Sequence, residues 1–288
     1  MDFIDSFPIG EREKRKLLNR LMDDWKTQAG KHRVWDEASQ RFFRADEYIC
    51  TDGFYPYYFQ QKPRILFIAR EAVQMCECDY IETLLSAYRE DCVANVTVNR
   101  HAFHSRMMYI AYGAIKGNFE LDYDDLPTSS SIARTFGTTD GISFAFMELS
   151  KYSNESDDAN SRCDSKLMKQ FLIDSDLEHT EFIKKELALL EPDVIITMNL
   201  WECGIDGGLI ETALGKVSQI CENKYFPYAT LNSLTVGSQD VPLIDLAHFS
   251  SRKSHKGDFY DPAMRIMRDL FEQEKGMTFH EAIEDGRK

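Results

Sequence analysis

The sequence predicts an α/β protein built on a parallel sheet, because short apolar runs alternate with helical patterns along it. Four segments are continuously apolar, which is typical of strands that are buried on both faces. These segments are residues 63–69, 142–147, 194–198 and 243–247. Strand–helix alternation is characteristic of parallel sheets whose strands are joined by crossover helices. We therefore predict a four-stranded parallel sheet flanked by helices in a three-layer α/β/α arrangement.

Periodic stretches supply the predicted helices between and after the strands. Residues 102–116 follow the first strand, after an acidic segment at 80–92 that also suits a helix. Residues 177–190 precede the third strand, and residues 261–274 follow the fourth. A recurring apolar face is typical of helices that pack on a sheet. The polar stretch 152–165 has no such face and is predicted to be a loop.

An N-terminal extension precedes the first predicted strand. Residues 11–28 place Leu, Met and Trp side chains on one helical face, and Gly30 follows as a stop signal. Residues 31–62 are aromatic-rich and irregular. We predict that residues 1–62 form a helical and aromatic-rich extension, which packs on the core of an α/β domain at 63–288.

Composition and charge narrow the functional classes. The chain has 288 residues, of which 43 % are hydrophobic, and this is enough apolar material for a globular core. Lys and Arg number 34 against 48 Asp and Glu, and the net charge of −14 disfavours a general nucleic-acid coat. We see no secretory signal and no apolar stretch of ~20 residues, so we expect a cytoplasmic protein that does not enter a membrane.

The cysteines and histidines give little sign of a cofactor. The odd count of seven cysteines and the length of the chain favour reduced thiols over a disulfide framework. Cys76 and Cys78 have no second close pair that would complete a four-ligand metal site. The spacing of His101 and His104 suits a metal, but the sequence identifies no further ligand beside them. We expect no metal and no cofactor.

Polar side chains follow three of the four predicted strands. Glu71 comes after the first strand, Glu148 and Lys151 come after the second, and His248 comes after the fourth. In open parallel sheets, ligands bind beyond the carboxyl ends of the strands, where the loops converge. We therefore expect two carboxylates, a lysine and a histidine to share one cleft. An exposed Glu148–Lys151 ion pair and a structural role for His248 are the alternatives.

Common nucleotide and hydrolase motifs are absent from the sequence. It contains no G-x-x-x-x-G-K-[ST] loop and no G-x-G-x-x-G after a predicted strand. It also lacks the G-x-S-x-G elbow of the serine hydrolases. The sequence thus disfavours P-loop, dinucleotide-binding and hydrolase-triad sites.

In order and context, the strand-end segments resemble the motifs of the uracil-DNA glycosylase superfamily. The segment 69–73 is similar to the G-E-x-P-G or G-Q-D-P-Y that follows the family's first strand. The segment 102–108 is similar to P-F-x-G-R-A-G, and 146–151 is similar to the second strand with its following Asn and Lys. The segment 189–196 resembles L-x-P-x-h-I-h, where h is an apolar residue, and 248–250 resembles H-P-S.

The resemblance implies a four-stranded parallel sheet between helices and an activity that hydrolyses an N-glycosidic bond. It implies that Phe103 stacks on a flipped base while Glu148 and Lys151 contact the edge of that base. It also implies that Glu71 orients water or stabilises an oxocarbenium-like sugar. His248 would donate a hydrogen bond to the base oxygen on which negative charge develops.

A basic loop after the fourth strand is the candidate phosphate-binding segment. Backbone N–H groups and hydroxyls of Ser250 and Ser251, with the side chains of Arg252 and Lys253, would hold flanking phosphates. A solvated basic loop is the alternative. Because the rest of the chain is acidic, we expect DNA or a nucleotide at a small site and no tight non-specific DNA binding.

Two departures from the family pattern leave other hypotheses open. Glu148 stands where the family usually has Asn, and Phe249 replaces the Pro of H-P-S. A carboxylate cannot donate a hydrogen bond to a base carbonyl unless it is protonated. One hypothesis is a divergent glycosylase that acts on a damaged or deaminated base. A second is a non-catalytic glycosylase-like fold that binds a nucleotide, nucleic acid or protein, and a third is an unrelated hydrolase or transferase for a small molecule.

Overall fold

The chain folds around a seven-stranded sheet that is covered by helices on both faces. The structure, a computed structural model, describes residues 2–36, 40–156, 164–176, 181–202, 204–221 and 229–273. Its strands in these ranges are β1 (Arg33–Asp36), β2 (Arg41–Arg44), β3 (Gly53–Phe54), β4 (Ile65–Val73), β5 (Ala145–Asn154), β6 (Val194–Met198), β7 (Val217–Cys221), β8 (Ala229–Val236) and β9 (Gln239–Leu246). Its α-helices are α1 (Ile9–Ala29), α2 (Tyr80–Arg89), α3 (Ala102–Ile115), α4 (Ser129–Arg134), α5 (Ser165–Asp176), α6 (Phe182–Leu190), α7 (Gly207–Leu214) and α8 (Asp261–Gln273).

Four neighbouring strands of the large sheet run parallel, as the apolar runs predict. The strand order is β3-β5-β4-β6-β9-β8-β7, in which β5, β4, β6 and β9 pair in parallel. The predicted count of four strands is nevertheless wrong, because antiparallel strands extend the sheet at both edges. Burial alternates along much of β8, so this strand lacks the continuous apolar run that identifies a strand buried on both faces.

Two of the parallel strands extend further than their apolar runs. β4 continues beyond Glu71, and β5 starts later than predicted and continues beyond Lys151. Glu71, Glu148 and Lys151 are therefore strand residues and not loop residues. The predicted loop 152–165 contains the end of β5 and the first residue of α5, while its residues 157–163 lie outside the described part.

The helix predictions are confirmed with small shifts of their ends. The helices α1, α2, α3 and α8 cover most of the segments predicted to be helical at 11–28, 80–92, 102–116 and 261–274. The helix predicted at 177–190 is observed as α6, and the first four residues of that segment are outside the described ranges. No helix among the described residues is long and apolar enough to cross a membrane.

Each face of the sheet has its own hydrophobic core. The strands β4, β5, β6 and β9 contribute alternate side chains to the two cores, because successive strand residues point to opposite faces. Apolar residues of α2, α3, α4 and α8 fill the first core. Apolar residues of α1, α5, α6 and α7 fill the second, so the N-terminal helix shares its core with the sheet. We call these the α3 face and the α1 face.

Candidate functional site

The carboxyl ends of the parallel strands bring three of the predicted residues to one edge of the sheet. Ala69 of β4 pairs with Glu148 of β5, and Glu71 lies two residues further along β4. The parallel strand β9 ends at Leu246, so His248 follows it at the same edge. The predicted convergence at the carboxyl edge is therefore observed for Glu71, Glu148 and His248.

Phe103 lies at the centre of an aromatic group on the α3 face of this edge. Its ring centroid is 6.2 Å from that of Phe146 and 6.1 Å from that of His248. On β5, the Phe146 ring stacks on Tyr80, with centroids 4.6 Å apart and planes 11° from parallel. Phe103 is half-buried in the first turn of α3, so part of its ring is accessible. We call Tyr80, Phe103, Phe146, Glu148 and His248 the edge cluster.

Glu148 carries a buried carboxyl group with an unused oxygen. It follows Phe146 by two residues and is 3 % exposed. Burial raises the pKa of Glu148 well above its ordinary value, and the negative charge of Asp52 raises it further. Its Oε2 atom has no hydrogen-bond partner among the described residues. A protonated Glu148 offers one O–H donor and one carbonyl acceptor, which are the two functions of an Asn side chain.

Asp52 and Lys151 act on the pKa of Glu148 in opposite directions, because the charge of Asp52 raises it and the charge of Lys151 lowers it. Asp52 accepts hydrogen bonds from the Glu148 backbone N–H at 2.6 Å and from Lys151 Nζ at 2.7 and 2.8 Å. Lys151 Nζ also donates to the Glu148 carbonyl at 2.9 Å and lies 2.8 Å from Glu186 Oε2. The lysine charge is therefore directed at Asp52 and Glu186, and Glu148 faces a neighbour of its own sign.

Lys151 does not fit the predicted base-binding role. Its side chain is fully buried, and its ammonium group is within 2.9 Å of oxygens of Asp52, Glu148 and Glu186. Burial opposes the charge of Lys151, but the carboxyls of Asp52 and Glu186 outweigh burial and raise its pKa. The ammonium points into the α1 face, 5.5 Å from the centroid of the Trp25 ring. Its three N–H donors are used inside the protein, so Lys151 is a structural residue.

His248 is held as a neutral imidazole with a defined donor. Its Nδ1 accepts a hydrogen bond from the Ser250 backbone N–H at 3.2 Å, so the proton of the neutral ring lies on Nε2. Burial lowers the pKa of His248 to about 4, and the charges of Arg70 and Arg106 contribute to this shift. At neutral pH, Nε2–H is therefore available to donate to an acceptor beside Phe103.

Arg106 is a residue that the site prediction missed. It is 2 % exposed, and its Nη1 donates to the carbonyl of Phe249 and, at 2.9 Å, to that of Ser251. Its Nη2 donates to the carbonyl of Lys253 at 2.7 Å. One guanidinium thus fixes three carbonyls of the loop that carries His248. Its signal in the sequence is a lone arginine within the otherwise largely apolar helix α3, where a charge needs strong partners.

Glu71 lies at the same edge, but its carboxylate already has partners. Its Oε1 accepts a hydrogen bond from Asn154 Nδ2 at 2.9 Å and another from the Asp164 backbone N–H at 2.9 Å. These contacts tie the end of β4 to the end of β5 and to the start of α5. Both donors come from the protein itself, so this oxygen is already occupied.

The loop after β9 uses the backbone N–H groups that were predicted to bind phosphate. The Ser250 N–H donates to His248 Nδ1, the Ser251 N–H donates to the His248 carbonyl at 2.9 Å, and the Lys253 N–H donates to the Ser251 carbonyl. The side chains of Ser250, Arg252 and Lys253 are exposed. A phosphate contact at this loop therefore has to come from side chains.

The histidine pair that suggested a metal has another arrangement. His104 is buried, and its Nδ1 is 2.8 Å from Tyr88 Oη. The His101 and His104 rings lie 4.5 Å apart, centroid to centroid. Within the described ranges, no group of three or more His, Cys, Asp or Glu side chains is arranged to hold a metal ion. Cys50, Cys76, Cys78 and Cys92 are free thiols.

No protein-family model matches the chain, and no curated protein is significantly similar to it in sequence.

Proposed function

We propose that the protein is a divergent uracil-DNA glycosylase-like enzyme that binds an extruded, deaminated base at the edge cluster and hydrolyses its N-glycosidic bond. The observation that carries the proposal is the unpartnered Oε2 of Glu148, a buried carboxyl group on the same sheet edge as Phe103 and His248. A buried polar atom without a partner costs free energy, and a ligand that supplies the partner removes this cost.

The chemistry of Glu148 matches the edge of a deaminated base. Uracil, hypoxanthine and xanthine each present a ring N–H beside a carbonyl oxygen. A protonated carboxyl group accepts from that N–H and donates to that oxygen, as an amide does. The substitution of Asn by Glu, which argues against base reading for an ionised side chain, is compatible with base reading when burial and Asp52 keep the side chain neutral.

Phe103 and His248 have the geometry that the remaining steps need. A base stacked on the accessible part of the Phe103 ring lies beside the imidazole, whose centroid is 6.1 Å away. As the bond between the sugar C1′ and the base nitrogen breaks, its electron pair goes to the base, and Nε2–H of His248 stabilises the oxyanion. Water adds to the C1′ cation and gives up a proton to bulk water, while the base anion takes up a proton from bulk water as it leaves, so the products are an abasic sugar and a neutral base. The Glu71 carboxylate would stabilise the cationic sugar through space.

A second candidate is a glycosylase-like fold that binds a nucleobase or nucleotide without excision. The observation in its favour is that Glu71 Oε1 already accepts two hydrogen bonds, which weakens it as a base for water. In this case the edge cluster binds a base, while the fold lacks an activated nucleophile.

Oligonucleotides that contain uracil, hypoxanthine or xanthine test the two candidates. Abasic-site formation with any of these substrates, and none with cytosine-containing DNA, would support excision. If no abasic sites form, binding of the free bases would support the second candidate, and the absence of such binding would exclude both candidates. The matched pair Glu148→Gln and Glu148→Leu probes the edge contact, because only Gln keeps a donor and an acceptor. We expect Gln to retain base binding and Leu to weaken it by roughly 5- to 150-fold, which corresponds to about 1–3 kcal/mol.

A further inference from the structure

The β1–β2 hairpin presents two exposed aromatic rings on one face. Trp35 pairs with Phe42 across the two strands, so both side chains lie on the same face. Trp35 is 39 % exposed and Phe42 is 60 % exposed, and their ring centroids are 5.0 Å apart. Two adjacent exposed rings form a small apolar patch, and apolar patches on a polar surface are candidate interaction sites.

The opposite face of the hairpin is the one that attaches it to the protein. Val34 is 1 % exposed, and the ring of its cross-strand neighbour Phe43 packs against Tyr48 at 5.4 Å. The core therefore accounts for one face of the hairpin, and the Trp35–Phe42 face is the more exposed of the two.

Basic residues lie next to the exposed rings, although the chain as a whole is acidic. Arg33 and Arg44 form the neighbouring pair of the same register and share the face of the rings. Lys31 is exposed just before the hairpin, whereas Arg41 lies on the opposite face, with its guanidinium 4.2 Å from the centroid of the Phe43 ring. Residues 31–44 contain four Lys or Arg and two Asp or Glu, against a net charge of −14 for the whole chain. Arg44 shares its charge with Asp46, which leaves Arg33 as the main cation of this face.

We propose that the Trp35–Phe42 face binds single-stranded nucleic acid, with the rings stacking on unpaired bases and Arg33 contacting the phosphate backbone. Exposed flat rings next to cations are complementary to a polymer in which bases alternate with phosphates, and they need unpaired bases to stack on. An acidic protein partner would complement the charge of the arginines but would not explain the exposed rings.

The hairpin is linked to the edge of the sheet through α5. Gln170 Nε2 of α5 donates to the Arg33 carbonyl at 2.8 Å, and the Asp164 N–H at the start of this helix donates to Glu71. Six residues of helix span about 9 Å. A nucleic-acid strand bound at the hairpin therefore has a short path to the carboxyl edge. That the bound nucleic acid runs towards this edge rests on the proposed function, whereas its binding at the hairpin does not.

Fluorescence anisotropy of a labelled thymidine oligonucleotide, titrated with the full chain, tests the proposal. We expect the double variant Trp35→Ala/Phe42→Ala to weaken binding by roughly fivefold or more. We expect Arg33→Gln to weaken binding and to reduce the log–log salt slope by about 0.7, the value for one phosphate contact on a single strand. Ile9→Ala and Arg134→Gln are matched controls, because both side chains are exposed elsewhere on the surface.

The fluorescence of Trp35 in the unsubstituted chain provides a second readout, which does not depend on the folding of the double variant. Binding of the oligonucleotide should quench the fluorescence of the exposed Trp35, and Trp35→Phe should remove this quenching while a stacking ring is kept. Equal affinity of the hairpin variants and the two controls would overturn the proposal. So would self-association of the chain that the double variant abolishes without any change in oligonucleotide binding.

Abasic-site assays run in parallel keep this proposal separate from the excision chemistry. One outcome is a hairpin variant that excises the base and also binds the oligonucleotide as tightly as the unsubstituted chain. This result would support the excision activity and exclude a role of the hairpin in binding. Oligonucleotide binding that depends on the hairpin, in a chain that excises no base, would support the hairpin site and exclude the excision activity.

Discussion

β5 carries two buried ionisable side chains three residues apart, and their surroundings are opposite. Lys151 points into the α1 face, where its ammonium donates to Asp52 and to the Glu148 carbonyl and lies 2.8 Å from Glu186 Oε2. Glu148 belongs to the edge cluster, and its Oε2 has no partner among the described residues. A buried charge with all its partners is part of the scaffold, whereas a buried polar atom without one is a candidate ligand contact.

The two side chains are also coupled through Asp52. Asp52 binds Lys151 and the Glu148 backbone N–H, and its charge helps to raise the pKa of Glu148. The charges around Lys151 on one face of the sheet thus influence the pKa of the Glu148 carboxyl group on the other. Variants of these side chains and of those around them distinguish effects on stability from effects on the site. The four predictions that follow run from the largest expected effect to the smallest.

Lys151→Met should have the largest effect, and the effect should be on stability. Removal of the ammonium leaves the buried Asp52 carboxylate without its counter-charge, which costs about 3–5 kcal/mol of unfolding free energy. Urea denaturation measures this loss. Lys184→Met is the matched control, because Lys184 forms a partly exposed pair with Glu181, where such a change costs about 1 kcal/mol or less. Equal losses in the two variants would remove the contrast between Lys151 and an ordinary surface lysine.

His248→Ala should lower excision by roughly 100- to 1000-fold, since it removes the donor to the developing oxyanion. The imidazole is partly exposed, so we expect a much smaller effect on the unfolding free energy than Lys151→Met has. Single-turnover rates of abasic-site formation measure the loss. An unchanged rate would take His248 out of the mechanism, and an equal collapse of stability would place it in the scaffold with Lys151.

Arg106→Lys should reduce excision about tenfold by loosening the loop that carries His248. A lysine cannot span the carbonyls of Phe249, Ser251 and Lys253 with a planar fork. The control is Arg268→Lys, because Arg268 also binds a carbonyl, that of Phe119, but away from the edge cluster. Similar stability losses with a rate effect only for Arg106→Lys would confirm a positioning role. Equal rates in the two variants would contradict it.

The pH dependence of stability should reveal the neutral state of Glu148. Because its pKa is raised in the folded chain, the unfolded chain loses this proton first as pH rises above about 4.5. The unfolding free energy of the unsubstituted chain should therefore fall with pH relative to that of Glu148→Gln, by at most about 1.4 kcal/mol per pH unit. Urea denaturation from pH 5 to pH 8 gives the difference. A difference that is constant with pH would mean that Glu148 is ionised in the folded state.

Much of the fold follows from local patterns in the sequence. The apolar runs of β4 and β6 and the periodicity of α1, α3 and α8 identify these elements, because burial on both faces or on one face leaves a regular pattern. The additional strands escaped prediction for local reasons as well. β3 has only two residues, and β8 alternates along much of its length. The ends of β4 and β5 were placed too early, because polar side chains at a sheet edge interrupt an apolar run without ending the strand.

The candidate site was less predictable than the fold. Topology explains the convergence of Glu71, Glu148 and His248, since the carboxyl ends of parallel strands share an edge. The role of Arg106 depends on three carbonyls more than 140 positions away, and no local pattern encodes them. The base-binding role predicted for Lys151 follows from the motif resemblance of segment 146–151, and its partner Asp52, 99 residues earlier in the chain, is not identifiable from any local pattern.

The sequence by itself determined the four parallel strands, the main helices and the edge at which polar side chains collect, because periodicity and burial are local properties. Only the tertiary structure decided which of those polar side chains are satisfied. Hydrogen-bond partners come from distant segments, and the low dielectric of the interior makes each missing or present partner decisive. The physical difference between Glu148 and Lys151 is therefore a property of the folded chain.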